Sequence, residues 1–256
     1  MLNFTGDSTY EGQSGSLAET AYVLVRQGIE SGELEPGTIL KEAEVAASLN
    51  MGRTPVREGL QRLRAEGLLV HSTKGYLVLE LSIRDILNVF QVRGMLEAGA
   101  ARQAARAKTR LDLAHLLDAL ELERAAVAKD DPLLAATVAE SFYTALHSAS
   151  KNRFLEGTIR SVRLLTAPYF KRVIAHPGMA DRCLEERVRI FNAVESGDAE
   201  EAEVASRDHI RNIMWSVLYK VQEDYPALAD DTIVWPPGVL EGLKETRDDS
   251  VAPPAK

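Results

Sequence analysis

Apolar residues recur along most of this chain at the three- and four-residue spacing of helices, and one short stretch breaks the rhythm. Ala21, Val25 and Ile29, with Leu24 beside them, predict a first helix over Ala18 to Ile29. "SGELEPG" ends it. "LKEAEVAASL" predicts a short second helix, "NMG" a turn, and Arg53 to about Glu66 a third helix. In "GLLVHSTKGYLVLE" the apolar segments 68–70 and 77–79 flank Ser72, Thr73, Lys74 and Gly75, the pattern of a β-hairpin with a basic Lys-Gly tip.

After Glu80 the pattern is helical throughout, over about 83–107, 110–128, 132–149, 153–174, 178–195 and 199–222. The breaks have their own chemistry. Ser82 with Asp85, and Thr109 with Asp112, have the spacing of capping boxes. Asp131-Pro132 suits a helix start, Lys151-Asn152 and His176-Pro177-Gly178 are turns, and Gly197-Asp198 ends one helix and opens the next. The fold expected is mainly α: an N-terminal winged helix-turn-helix over 16–80, a junction near 80, and an all-helical antiparallel bundle over 82–230. Residues 1–15 are polar and need not fold. The stretch 231–256, with four of its prolines at 236, 237, 253 and 254, is expected to be an irregular tail that Trp235 pins to a surface.

Composition narrows the classes. The 256 residues are 45% hydrophobic, enough for one large or two smaller domains. Cys183 is the single cysteine, which excludes an internal disulfide and points to a reducing compartment. No apolar run reaches membrane-spanning length and no leader pattern opens the chain, so a cytoplasmic protein is expected. The formal net charge of -8 argues mildly against non-specific nucleic-acid binding. It says little about a local surface, because salt screens fields beyond about 10 Å.

One local surface is cationic. On the third helix Val56, Leu60 and Leu63 share an inward side, while Arg53, Arg57, Gln61 and Arg64 share another. Thr54 and Pro55 begin the helix, where the missing amide proton of proline costs nothing. Arginine forks onto guanine or phosphate, and glutamine pairs with adenine, in a groove wide enough to admit a helix. Two preceding helices supply the support that such a helix needs. A glycine at the wing tip permits close approach to a backbone or minor groove. The bland alternative is a solvated face, with Glu58 and Arg62 pairing along the helix.

The stretch "ESGELEPGTILKEAEVAASLNMGRTPVREGLQRLRAEGLLVHSTKGYLV" resembles the N-terminal domain of the GntR family of bacterial transcription regulators, through "SGELEPG", "RTPVRE", "L.RL.AEGL" and the "GY" after the wing. The resemblance implies Arg53, Thr54, Arg57, Lys74 and Gly75 at an operator, with Lys41 near a phosphate. Two residues depart from the family pattern. Gly52 stands where serine is usual, so a capping hydroxyl is absent. Gly59 replaces a usual alanine, at a cost of about 0.8–1 kcal/mol in helix propensity.

The helical half resembles the effector-binding domain of the FadR-like branch, through "VRGMLEAGAARQAA", "ALHSASKNRFL" and "IFNAVESGDAEEAEVASRDHI". Many members of that branch hold a divalent metal through an Asp, a His four residues later and two further histidines. The corresponding positions here are Ala139, Tyr143, Arg187 and His209, so no metal site and no other cofactor is expected. An inward Arg187 needs an internal carboxylate or an anionic ligand. The site expected for a small organic acid is therefore Arg187, Tyr143 and His209, with Arg93 holding a second group unless Glu97, one turn away, neutralises it. Lone His209 and Tyr143 are equally consistent with ordinary core residues.

No catalytic arrangement emerges around Cys183, Ser148, Ser150 or His147, and no phosphate loop is present, so an enzyme is not expected. The expected protein is a homodimeric repressor on double-stranded operator DNA, controlled by a small organic acid. Two alternatives stay open: a ligand-independent DNA-binding protein with a structural helical domain, and a regulator that senses an apolar acyl ligand.

Overall fold

The computed structural model describes residues 16–224, the side chain of Arg172 excepted. The expectations for 1–15 and for the tail at 231–256, Trp235 included, lie outside the described residues. The described chain divides into two compact units, 16–81 with 163–168, and 82–162 with 169–224.

In the first unit the order is α1 (Leu17–Glu30), β1 (Ile39–Leu40), α2 (Glu42–Ser48), α3 (Arg53–Ala65), β2 (Leu69–Ser72) and β3 (Gly75–Val78). Ser16 caps α1 by accepting from the Glu19 amide at 3.2 Å. Tyr22, Val25 and Ile29 of α1 meet Val56, Leu60 and Leu63 of α3 in one core, all buried. This is the inward side that the apolar spacing of the third helix predicts.

Three features were not legible in the pattern. Ile39 and Leu40 form an extra strand, so β3 is the centre of a three-stranded antiparallel sheet in the order β1-β3-β2. The hairpin register pairs Ser72 with Gly75, which makes Thr73 and Lys74 the two-residue tip and corrects the expected Lys-Gly tip. Gly75 opens β3 at φ +138, and a Cβ there would lie 2.5 Å from the Leu40 carbonyl oxygen. Its missing side chain thus lets the sheet's own backbones approach. Gly59 is the third case. A Cβ on it would lie 2.8 Å from the Tyr22 backbone nitrogen, so the glycine that lowers helix propensity also lets α1 and α3 pack closely.

The second unit is built from α4 (Ile83–Ala107), α5 (Arg110–Val127), α6 (Pro132–Ala149), α7 (Arg153–Ile174), α8 (Met179–Ser196) and α9 (Ala199–Asp224). Ser82–Asp85 and Thr109–Asp112 form complete capping boxes. Asp131 and Asn152 cap α6 and α7 through their side chains, and Gly197 closes α8 in the left-handed region at φ 81. α4 packs on α9, α5 on α6, and α8 on both α5 and α9. The core alternates Leu116, Leu120, Phe142 and Phe191 with Ala101, Ala104, Ala119 and Ala205, small residues that let the helix backbones come close.

Candidate functional site

The recognition surface begins at α3. Its N-cap is Gly52, at extended φ and ψ and without a side-chain bond to the first turn, so the helix starts with no capping hydroxyl. Arg53, Thr54, Arg57, Gln61 and Arg64 are all exposed along it, and Lys74 is exposed at the hairpin tip. Their cations are not equivalent. Arg57 donates from Nε to both Glu42 oxygens at 3.1 Å, and Lys41 Nζ sits 2.6 Å from Glu44. Arg62 faces Glu19 and Glu66 and lies over the Tyr22 ring, on the other side of the helix. Arg53, Arg64 and Lys74 make no ion pair among the described residues. Exposed pairs of this kind are weak and screened by salt, so a phosphate or base can take Arg57 and Lys41 from their carboxylates.

Inside the helical unit, Tyr143, Arg187 and His209 come together. They are 5%, 1% and 1% exposed. The Arg187 guanidinium donates from Nη1 to the Tyr143 oxygen at 3.0 Å, and Tyr143 Oη lies 2.5 Å from His209 Nε2, with the two rings stacked. His209 Nδ1 lies 2.5 Å from a Glu186 oxygen, and Asn212 donates to the other oxygen at 2.7 Å. A carboxylate only accepts, so Nδ1 carries the proton and Nε2 accepts from the tyrosine hydroxyl. Burial holds the His209 pKa below its ordinary value, against the pull of Glu186, which keeps this neutral tautomer. Burial opposes the Glu186 charge, yet the bonds from His209 and Asn212 hold its pKa below the carboxylate range.

The partner that decides the character of this cluster is Glu123, on α5. Arg187 Nε donates to one of its oxygens at 2.8 Å and Nη2 to the other, a two-pronged pair at 0% exposure for the acid. Burial disfavours the Arg187 charge, but Tyr143 and Glu123 raise its pKa above the ordinary arginine value. This corrects the expectation of an Arg187 open to an effector's carboxylate, because an internal acid already balances the charge. Sequence reasoning missed Glu123. The signal was its place on the buried stripe Leu116, Leu120, Glu123, where an acid sits at an apolar position.

Arg93 is likewise engaged: its Nε donates to Glu97 at 2.8 Å and its guanidinium lies over the Phe90 ring. The other Glu97 oxygen is 3.8 Å from His147 Nε2, a buried nitrogen with no hydrogen-bond partner. A divalent metal does not fit the four positions of the resemblance. Ala139 has no donor, both His209 nitrogens are engaged, and a guanidinium occupies the centre. Among the described residues no group of three or more His, Cys, Asp or Glu side chains is placed to hold a metal ion. Cys183 is fully buried, and burial pushes its thiol up to about 12, so it is no nucleophile.

Comparison with known proteins agrees with this division of the chain. Residues 17–77 match "Bacterial regulatory proteins, gntR family", and residues 88–212 match "FCD domain". The chain is 30% identical over 207 residues to the HTH-type transcriptional regulator LutR of Bacillus subtilis, covering 72% of this chain and 94% of that protein. It is 26% identical over 204 residues to the HTH-type transcriptional repressor RspR of Escherichia coli, covering 79% of this chain and 90% of that one. The solved structure of E. coli McbR/YncC superposes with a TM-score of 0.70 at 25% identity, covering 82% of this chain and 99% of that chain. No helix among the described residues is long and apolar enough to cross a membrane. A winged helix-turn-helix and a helical unit in this order, with a relative of this similarity along most of its length, show that the chain belongs to the GntR family of bacterial regulatory proteins and carries an FCD domain, a DNA-binding transcriptional regulator and not an enzyme.

Proposed function

We propose that this protein is a cytoplasmic homodimeric repressor whose affinity for a palindromic operator is set by a small organic acid bound in its helical unit. The observation that carries the DNA half is the exposed row Arg53, Arg57, Gln61 and Arg64 on a helix seated by Val56, Leu60 and Leu63. Two such helices related by a two-fold axis read two half-sites, so operator symmetry follows protein symmetry. Thr54 supports α3 at the DNA, and Lys41 and Lys74 hold phosphates on either side. Gly75 acts by letting the wing close against β1.

Control by an acid requires that the ligand bind the DNA-competent and incompetent states unequally. Arg93, Tyr143, Arg187 and His209 take part as the polar wall of the helical core, not as an open cation site. One observation favours a second reading, a purely structural helical unit: the polar groups around Arg187 are satisfied from within. A titration of operator and scrambled duplex, with and without a panel of carboxylates, tests both. Specific binding that some carboxylate changes supports ligand control. Specific binding that no compound changes favours the structural reading, and equal affinity for the two duplexes at physiological salt sinks the operator proposal.

A further inference from the structure

Arg187 and Arg93 are balanced by Glu123 and Glu97, but another arginine of α8 is not balanced. Arg182 lines a cavity with Val173, His176, Met179, Ser216 and Tyr219, at the α7–α8 turn and the facing part of α9. The cavity is small, about 20 Å³, room for about one water-sized group, and it opens to solvent. Arg182 Nη2 donates to Ser216 Oγ at 3.1 Å and to Met179 Sδ at 2.8 Å. Its Nε is buried and has no hydrogen-bond partner. No carboxylate pairs with it among the described residues. Glu186, one helical turn on, feels the Arg182 charge, but both its oxygens are taken by His209 and Asn212.

A guanidinium with a buried, unused N–H and no carboxylate bonded to it is costly unless a ligand supplies the missing acceptor. We propose that this cavity is an anion subsite and that it takes a small oxyanion, the carboxylate end of the effector. Nη2 holds Ser216 and Met179, so the buried Nε–H is the donor left for an oxygen of the anion, and Nη2 completes the fork by leaving the Met179 sulfur, a weak acceptor. Val173, Met179 and the Tyr219 ring border it with largely apolar surface, which strengthens the pairing. Ser216 accepts from Arg182 and donates to the Asn212 carbonyl at 3.0 Å, and Asn212 holds Glu186, which holds His209. An anion at Arg182 therefore sits on the same two helices, and on the same run of hydrogen bonds, as the central network. The inference rests on the ligand-controlled reading above and gives it a site.

The test is calorimetric titration of the full chain with acetate, succinate and inorganic phosphate, which separates a carboxylate preference from a general oxyanion site. Wild type is expected to bind a carboxylate, Arg182→Gln to weaken binding about tenfold or more, and Arg182→Lys to recover part of it. Ser216→Ala is expected to weaken binding less, and Arg189→Gln, an exposed arginine of the same helix paired with Glu201, to leave it unchanged. Preference for phosphate over both carboxylates overturns the assignment to an organic acid. So does equal affinity in wild type and Arg182→Gln, or binding of none of the three anions. Operator titration of the same proteins separates the two claims. A carboxylate that binds through Arg182 without changing operator affinity leaves the site and removes ligand control. One that changes operator affinity equally in wild type and Arg182→Gln leaves control and removes the site.

Discussion

Arg187 and Glu123 form a two-pronged ion pair at 1% and 0% exposure, joined through Tyr143 to His209. The helical unit thus encloses a cation and an anion where relatives of the branch are expected to enclose a metal. Breaking a buried pair on one side strands a charge and costs about 3–5 kcal/mol, whereas replacing both partners by apolar residues is close to neutral. Glu123→Ala is expected to lower the denaturant midpoint strongly. The double variant Glu123→Leu with Arg187→Met is expected to recover most of the loss. Urea unfolding of the two, beside wild type, decides the matter, and a double variant as unstable as the single one contradicts it.

Gly59 offers a change whose sign opposes helix propensity. Alanine at a helix interior normally gains about 1 kcal/mol over glycine. Here the added methyl would meet the Tyr22 backbone nitrogen at 2.8 Å and the Ala18 carbonyl oxygen at 3.2 Å, backbone atoms that cannot turn aside. Overpacking of this kind costs about 1–3 kcal/mol, so Gly59→Ala is expected to destabilise by roughly 1 kcal/mol net. A thermal melt of the variant that rises above wild type would show that α1 and α3 yield freely.

At the operator, Arg57→Ala and Lys74→Ala are expected to differ in kind. Loss of a base-reading fork costs about 1–3 kcal/mol and relaxes specificity at one position, whereas loss of a phosphate contact weakens all sequences alike and reduces the salt slope by about one. Glu42→Ala frees Arg57 from its exposed partner and is expected to tighten binding slightly. Fluorescence anisotropy across a salt series, with matched and mutated operators, separates these outcomes.

Asp112 sets a pH dependence. Burial raises its pKa, but hydrogen bonds from Lys151 and from the Thr109 hydroxyl and amide hold it down at about 2, below the ordinary 3.8. A depressed acid stabilises the fold above its unfolded pKa, and that contribution is lost as pH falls from about 4 towards about 2. Asp112→Asn also weakens the capping box of α5, at a cost of about 1 kcal/mol at neutral pH. The stability gap between wild type and Asp112→Asn in urea is expected to shrink when the pH is lowered through that window. A constant gap would mean that the carboxylate charge adds nothing.

Much of this protein was legible in its sequence, because much of it is written in local chemistry. Helical spacing, the capping residues Ser82, Thr109, Asp131 and Asn152, and the left-handed Gly197 depend on a few neighbouring residues. They determined the helices, the winged unit before the helical one, and the α3 side that carries Arg53, Arg57 and Arg64. What only the tertiary structure decided depends on residues distant in sequence. β1 exists because Leu40 meets Tyr76, and Gly59 is required because α1 passes close to it. Arg187 is balanced by an acid 64 positions away, while Arg182, five residues earlier on the same helix, meets none among the described residues. In the sequence the two arginines look alike. A charge's free energy depends on the dielectric and the counter-charge around it, and packing alone supplies both.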